Sequence, residues 1–236
     1  MKVLNMQVSI FGSFENVGSE KDAKQIQDIF GDEFYPNLIT AFKPGPTIIT
    51  SQRVRVVSLE LEKGLEFCFL PDRMDFNFNK DPYDENIINA TNSSCIFETM
   101  DCLIEYAKKV ADIFDPKGWR LAVNGRIFSN KEFAMTPDQY LKLPDSIRNK
   151  NFVEWVNRIN FQTEHSIHGS NEILNNIFSI SMPDGSMAGK GVWVGFDINT
   201  SQFNKLFRFD KSWFDDFFNV VKENTKFLFE SYGVEL

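Results

Sequence analysis

The two histidines of the chain stand three residues apart, in the run His165-Ser166-Ile167-His168. On a helix this spacing would place both imidazoles on one face, where they could bind zinc together with Glu164. The segment instead has the pattern of a strand that ends in a loop, and side chains three apart on a strand point to opposite sides. We therefore expect two exposed loop histidines, and we expect neither a metal ion nor another cofactor.

Carboxylates offer a second route to chemistry. Asp72 and Asp75 stand where the chain re-enters a predicted sheet, and Asp197 lies in the matching strand of the second half. Two carboxylates about 5–9 Å apart could carry out acid–base hydrolysis. Asp72 and Asp75 have opposite parity along a strand, however, and turn formation explains them equally well. A metal-dependent hydrolase or nuclease that uses Asp72, Asp75 or His165 is kept as an alternative.

Motifs for nucleotide binding and for a nucleophilic serine do not assemble in this chain. The segment Gly185–Gly191 resembles a phosphate-binding loop, but Asp184 stands at the first glycine position and Gly191 replaces the Ser or Thr after Lys190. The chain has no G-x-S-x-G run. These sequences favour a protein without catalytic activity.

Polar groups inside otherwise apolar strands are the candidate binding residues. Asn124, Arg126 and Arg158 would bind a ligand if they faced inward and would meet solvent if they faced outward. Trp155 and Trp193, with Tyr83, are candidate interface anchors, since a few large aromatic residues carry most of the energy of an interface. Core packing is the alternative for each aromatic residue.

A pattern that occurs twice predicts the architecture. Alternating strands, a polar break and a long amphipathic helix occur first over Arg53–Phe114 and again over Ile177–Tyr232. We expect an α+β fold of two similar halves, residues 1–118 and 119–236, packed as one unit. In each half a mainly antiparallel sheet is covered by one long helix.

Local signals predict the individual elements. An N-terminal strand is followed by a short helix that opens at Ser19 and ends at Gly31, and prolines then predict an irregular segment around Ile39–Phe42. The last helix is expected to begin with a capping box formed by Ser212 and Asp215. Further elements are predicted at Lys80–Ser94 (loop), Ile96–Phe114 (helix), Trp119–Phe128 (strand), Thr136–Gln139 (helical turn), Phe152–His165, Glu172–Met182 and Val192–Ile198 (strands), and Trp213–Tyr232 (helix).

Composition limits the classes of function. The 236 residues include 25 Phe and carry a net charge of −8, which argues against general binding of nucleic acid. No run is long and apolar enough to cross a bilayer, and no signal peptide is recognised, so a cytoplasmic location is expected. Three cysteines without a C-x-x-C spacing fit reduced, buried thiols.

Three short segments resemble a sporadically distributed prokaryotic protein family whose function is uncharacterised. Arg120–Ile127 is similar to a family strand that ends in Asn-Arg-Ile, although Val123 and Gly125 depart from it. Thr136–Pro144 resembles its "YL-x-LP" segment, and Phe196–Asn199 resembles its "LDID" strand. The resemblance covers mainly the C-terminal half and implies the same order of strands and helices. It supplies no catalytic residue, and sporadic distribution implies an accessory role such as antiviral defence.

The leading functional hypothesis is a non-catalytic cytosolic protein that acts through protein–protein contact, with a homo-oligomer left open. An alternative is a small-molecule binder with an apolar pocket between helix and sheet, in which Asn124 and Arg126 would orient the ligand.

Overall fold

The computed structural model describes residues 2–14, 19–32, 34–43, 49–58, 64–80, 96–129, 143–148, 150, 154–183 and 191–232. For residues 37–43, 49–58 and 147–148 it describes the backbone alone.

The described strands form one antiparallel sheet of nine, in the order β2-β3-β4-β5-β1-β6-β9-β8-β7. The centre of this sheet is the pairing of β1 with β6, where Val8 lies opposite Val123. The fold is therefore α+β, as predicted. The strands are β1 Lys2–Gly12, β2 Phe34–Lys43, β3 Ile49–Ser58, β4 Leu65–Phe69, β5 Arg73–Asn79, β6 Gly118–Ser129, β7 Val156–Ile167, β8 Ser170–Ser181 and β9 Val192–Thr200; the α-helices are α1 Glu20–Phe30, α2 Ile96–Phe114, α3 Asp145–Arg148 and α4 Phe214–Ser231.

Helix α1 begins and ends where its sequence signals predicted. Ser19 is the N-cap: its Oγ accepts a hydrogen bond from the backbone N–H of Asp22 at 3.2 Å, and its own N–H donates to the Asp22 carboxylate at 2.8 Å. Gly31 ends the helix with φ of +84°, a conformation that suits glycine.

Helices α2 and α4 lie on the same face of the sheet because each has an apolar stripe at helical spacing. Met100, Leu103 and Val110 of α2 and Phe217 and Val221 of α4 are buried in one continuous core with the strands beneath. Their polar sides are linked by the exposed ion pairs Lys108–Asp215 and Lys222–Asp101, and Asp112 of α2 also pairs with Lys211 just before α4. Such exposed pairs orient the helices more than they stabilise them.

Phenylalanine fills the core beneath α2. The ring of Phe67 lies 4.8 Å from Phe30, 5.6 Å from Phe34, 5.5 Å from Phe76 and 5.0 Å from Tyr106, measured between centroids. Contacts at these distances and tilts add to the stabilisation that burial of each ring already gives.

The opposite face of the sheet, which we call the polar face, carries side chains of the other parity. Asn124 Nδ2 donates to Gln7 Oε1 at 2.9 Å, and Asn175 Nδ2 donates to Asn199 Oδ1 at 3.1 Å. Because residues directly opposite share a face, the amides of neighbouring strands meet and satisfy each other.

Two local predictions were wrong. The region predicted as irregular around Ile39–Phe42 belongs to β2, whose only proline is at position 36. Among the described strands β2 pairs with β3 alone, and in such an edge strand a proline need not remove a ladder hydrogen bond. The predicted capping box does not form: Trp213 is the N-cap of α4, and Asp210 instead accepts from the Ser212 N–H at 2.8 Å.

The β7–β8 connection also differs from the polar loop expected over 166–171. It is a two-residue turn of His168 and Gly169, with φ of +47° and +76°. Positive φ at both positions is the turn that matches the twist of a hairpin. The predicted loop at Lys80–Ser94 and the turn at Thr136–Gln139 lie outside the described residues, except for Lys80.

Within the described ranges, no helix is long and apolar enough to cross a membrane.

Candidate functional site

Four of the five predicted binding residues share the polar face. Asn124 and Arg126 lie on β6, Trp193 on β9 and Arg158 on the outermost strand β7. Arg126 and Arg158 belong to one cross-strand row, with Gly195 and Ser179 between them. The strands that carry Arg126 and Arg158 are three strand spacings apart, roughly 14 Å.

The two tryptophans are not the exposed anchors that the sequence suggested. Trp155 is 5 % exposed and packs in the main core, and Trp193 is 4 % exposed. Trp193 forms a small separate cluster with Leu4 and Phe128, and the Arg126 guanidinium lies 5.0 Å from its ring centroid. Core packing explains both indoles, and Tyr83 lies outside the described residues.

The two histidines do not share a site. His165 lies on the helix side of β7, where its Nε2 is 2.9 Å from Thr163 Oγ1 and 3.3 Å from Asn224 Nδ2. His168 lies in the turn, where its backbone N–H donates to Asp216 at 3.0 Å. The described part of the chain contains no group of three or more His, Cys, Asp or Glu residues placed to hold a metal ion.

The predicted carboxylates are equally scattered. Asp75 lies on the polar face of β5, where it accepts a hydrogen bond from Ser9 Oγ at 2.7 Å and pairs with Arg73 at 2.8 Å. Burial raises the pKa of the Asp75 carboxyl, while the bonds from Ser9 and Arg73 oppose the rise. His165 lies on the other face of the sheet, on β7, and four strands separate β7 from β5, so Asp75 and His165 do not converge.

A surface that the sequence did not single out is the segment between β9 and α4, residues 201–208, which we call the 201–208 loop. Phe203 is 86 % exposed, Leu206 72 % and Phe207 55 %. Three large apolar side chains in five residues form a local cluster at the surface, whereas isolated exposed apolar residues are ordinary. This is the feature of the described surface that most resembles an interface.

The loop is held in place from beneath by Arg208. Its guanidinium forms a two-pronged pair with Glu172 of β8, at 2.7 Å from Nε and 3.0 Å from Nη2. Its Nη1 donates to the carbonyl of Trp119 at 2.7 Å and to the carbonyl of Leu206 at 3.2 Å. Charge-assisted, bidentate bonds of this kind fix geometry as well as adding stability.

Backbone bonds complete the anchor. The N–H groups of Arg208 and Phe209 both lie 2.9 Å from the Gly118 carbonyl, and the Gly118 N–H donates to Phe209 at 2.7 Å. The end of the loop is thereby joined to the start of β6. The apolar side chains are presented by a fixed backbone, which lowers the entropy lost when a partner binds.

The loop also differs in charge from the rest of the chain. It contains Lys205 and Arg208 and no acidic residue, whereas the whole chain carries a net charge of −8. The Lys205 ammonium lies 3.3 Å from the centroid of the Trp119 ring. Since Arg208 is paired with Glu172 beneath the loop, the exposed surface of the loop is apolar with one basic residue, Lys205.

A groove of about 430 Å³ lies between α2 and the strands β4 and β5. Leu65, Phe78 and Tyr106 give it apolar walls, and Lys80 and Glu98 lie among its polar groups. Asn124 and Arg126, which were expected to orient a ligand between helix and sheet, lie on the opposite face and take no part in it.

Comparison with protein-family models, with curated proteins and with solved structures gives no match.

The sequence contained a signal for the 201–208 loop that periodicity could not interpret. Phe203, Leu206 and Phe207 fit neither the alternation of β9 nor the stripe of α4. Apolar residues that belong to neither neighbouring element are the cue that would have singled out this segment.

Proposed function

We propose that this chain is a non-catalytic protein that acts by binding a partner protein through the 201–208 loop. The observation that carries the proposal is the exposure of Phe203, Leu206 and Phe207 on a backbone fixed by Arg208. Clusters of large apolar side chains at the centre of an interface supply most of its binding energy.

The chemistry of the loop indicates the kind of partner. Its apolar side chains would fit an apolar pocket of the partner, and Lys205 beside them would pair with carboxylates of the partner at the margin of that pocket. Complementary charge at the rim chiefly raises the association rate and selects among partners. A general nucleic-acid surface is disfavoured because only two basic residues lie in the loop.

The test compares two variants in the organism that encodes the protein. The loop variant Phe203→Ser/Leu206→Ser/Phe207→Ser removes the apolar cluster, and the control Tyr35→Ser/Ile113→Ser removes exposed apolar side chains elsewhere. Proteins captured by the wild type are identified, and the purified candidate is then titrated against all three forms.

We expect the loop variant to weaken binding of one purified partner by at least about a hundredfold, because it removes the three apolar side chains that anchor the interface. The control should change the same dissociation constant less than about threefold. A partner that binds the loop variant and the wild type equally well, or the lack of any loop-dependent partner, would overturn the proposal.

The cellular setting belongs to the same proposal. We infer a cytoplasmic accessory protein of a prokaryote, with a role in host defence, on the strength of the resemblance of Arg120–Ile127 and Phe196–Asn199 to the sporadically distributed family.

We also propose that residues 1–118 and 119–236 are two similar halves. Support comes from the sheet order, since the last strand of each half pairs with the first strand of the same half: β5 with β1, and β9 with β6.

A second candidate function is the binding of a small apolar molecule in the groove beside α2. Its volume of about 430 Å³ is within the range of ligand pockets. Lys80 and Glu98 would orient the polar end of such a molecule. A thermal-shift screen tests this function: a compound that stabilises the wild type but not Glu98→Arg, an exposed position of the groove, would support it, and stabilisation of both forms alike would locate binding elsewhere.

A further inference from the structure

Strand β7 forms one edge of the nine-stranded sheet and has the features of a pairing surface. Among the described residues it pairs with β8 alone, over twelve consecutive residues without a bulge. It contains neither proline nor lysine. Proteins usually protect an edge strand with such residues or with bulges, because its outward N–H and C=O groups accept another strand.

The side chains of β7 on the polar face complement those of a second copy of the strand that runs antiparallel to it. In an antiparallel pairing of two copies centred on Phe161, each Arg158 lies opposite Glu164 of the other copy. Asn160 then lies opposite Gln162, so amide meets amide. Since residues directly opposite share a face of the sheet, both pairings occur on the polar face, where all four of these side chains are exposed.

Other registers lose this match. In a pair related by a twofold axis, side chains on the polar face of one copy stay on the polar face of the other only if the axis passes through a residue. Moving the axis by one residue then changes the register by two. Centring on Asn160 places Arg158 opposite Gln162, and centring on Gln162 places Glu164 opposite Asn160. Only the axis at Phe161 joins opposite charges, and it does so twice.

The helix side of the same edge offers apolar surface. Ile159 and Phe161 are only partly buried there, against the margin of the main core. Phe227 of α4 is 60 % exposed and lies three residues after Asn224, on the side of the helix that reaches Thr163 and His165 of β7. A second copy would bring its own Phe161 against this margin.

We propose that two copies of this chain associate through β7, antiparallel and centred on Phe161, to form one continuous sheet of eighteen strands. The proposal is independent of the 201–208 loop and of whatever binds there. The charge match selects a second copy over a foreign strand, because Arg158 and Glu164 complement each other within one sequence. Pairing uses up the β7 edge in each copy, so assembly through this edge ends at two.

The experiment exchanges the charges. The oligomeric state of the full chain is measured by sedimentation over micromolar to sub-millimolar concentrations, for the wild type, Arg158→Glu, Glu164→Arg and the double variant. Lys24→Glu, an exposed charge reversal on α1, serves as the control. All the substituted side chains are exposed, so circular dichroism should be unchanged throughout.

We expect a wild-type dimer whose dissociation constant rises at least about tenfold in each single variant, because like charges then lie opposite each other at two places. The double variant should recover to within about threefold of the wild type, since both pairs form again with their charges exchanged. Lys24→Glu should behave as the wild type.

Three results would overturn the proposal. One is a wild type that stays monomeric over the whole concentration range. Another is a dimer that neither charge reversal weakens, which would locate the interface elsewhere. The third is a double variant no tighter than the single ones, which would exclude the register centred on Phe161. None of these three results bears on the loop-dependent partner, which is measured separately.

Discussion

The cores beneath α2 and α4 both contain packed aromatic rings, such as Phe67 with Phe76 and Phe178 with Phe229, but they differ in their buried polar groups. Beneath α2, Phe67 contacts four other rings at centroid distances of 4.8–5.6 Å. Beneath α4, by contrast, the fully buried Asn176 accepts from Asn224 at 2.8 Å and donates to Thr163 at 2.8 Å. Beneath α4 a satisfied amide network therefore adds to ring packing, and it fixes how the helix lies on the outer strands.

The largest effect should come from the ring cluster. Phe67→Ala should lower the free energy of unfolding by about 3–5 kcal/mol, because it removes a fully buried ring and leaves a cavity among four others. Urea denaturation measures this loss. The same change at the exposed Phe203 is the control and should cost less than about 0.5 kcal/mol. A loss below about 1 kcal/mol at Phe67 would mean that the rings do not hold this half together.

The amide network should matter less for stability. Asn224→Ala leaves the buried Oδ1 of Asn176 without its donor, and we expect a loss of about 1–2 kcal/mol. Asn219→Ala, at an exposed position on the same helix, should have little effect and accounts for the change in helix propensity. If both variants were equally stable, the contrast between the two cores would be one of composition only.

The smallest effect is a pH dependence on the β5 side of the sheet. Burial raises the pKa of Asp75 above its ordinary value of 3.8, so between that value and the raised pKa the folded state holds more protons than the unfolded state. The Asp75 contribution to stability therefore falls as pH rises through this window and is constant above it.

Urea midpoints from pH 3 upward, compared with Asp75→Asn, would reveal that slope. The wild type should lose stability relative to the variant as pH rises, while Asp28→Asn, at an exposed position on α1, should follow the wild type. The opposite slope would show that the bonds from Ser9 and Arg73 outweigh burial.

Sequence reasoning located the elements with strong periodicity or strong caps. The bounds predicted for α2 agree with the structure, and those for α4 differ by one residue at each end. The helix predicted to open at Ser19 does so, because Asp22 stands at the spacing that completes a capping box with Ser19. At Ser212 the same kind of signal failed, since Asp210 reaches the Ser212 N–H first.

The candidate site could not be found in the same way. Periodicity placed Asn124, Arg126 and Arg158 on strands but could not tell which face the helices cover. Trp155 and Trp193 were suggested as anchors because of their size, yet size favours burial as much as binding. The 201–208 loop is anchored by the contacts of Arg208 with Glu172 and Trp119, residues that are distant from it in the sequence.

The central pairing of β1 with β6 has a consequence for synthesis of the chain. Gln7 and its hydrogen-bonding partner Asn124 are 117 residues apart, so β1 leaves the ribosome long before β6, which carries Asn124, has been synthesised. Folds dominated by such distant contacts form slowly, and incomplete sheets expose strand edges that aggregate. We expect overproduction at high rate to yield inclusion bodies, and slower translation or added chaperones to raise the yield of native protein.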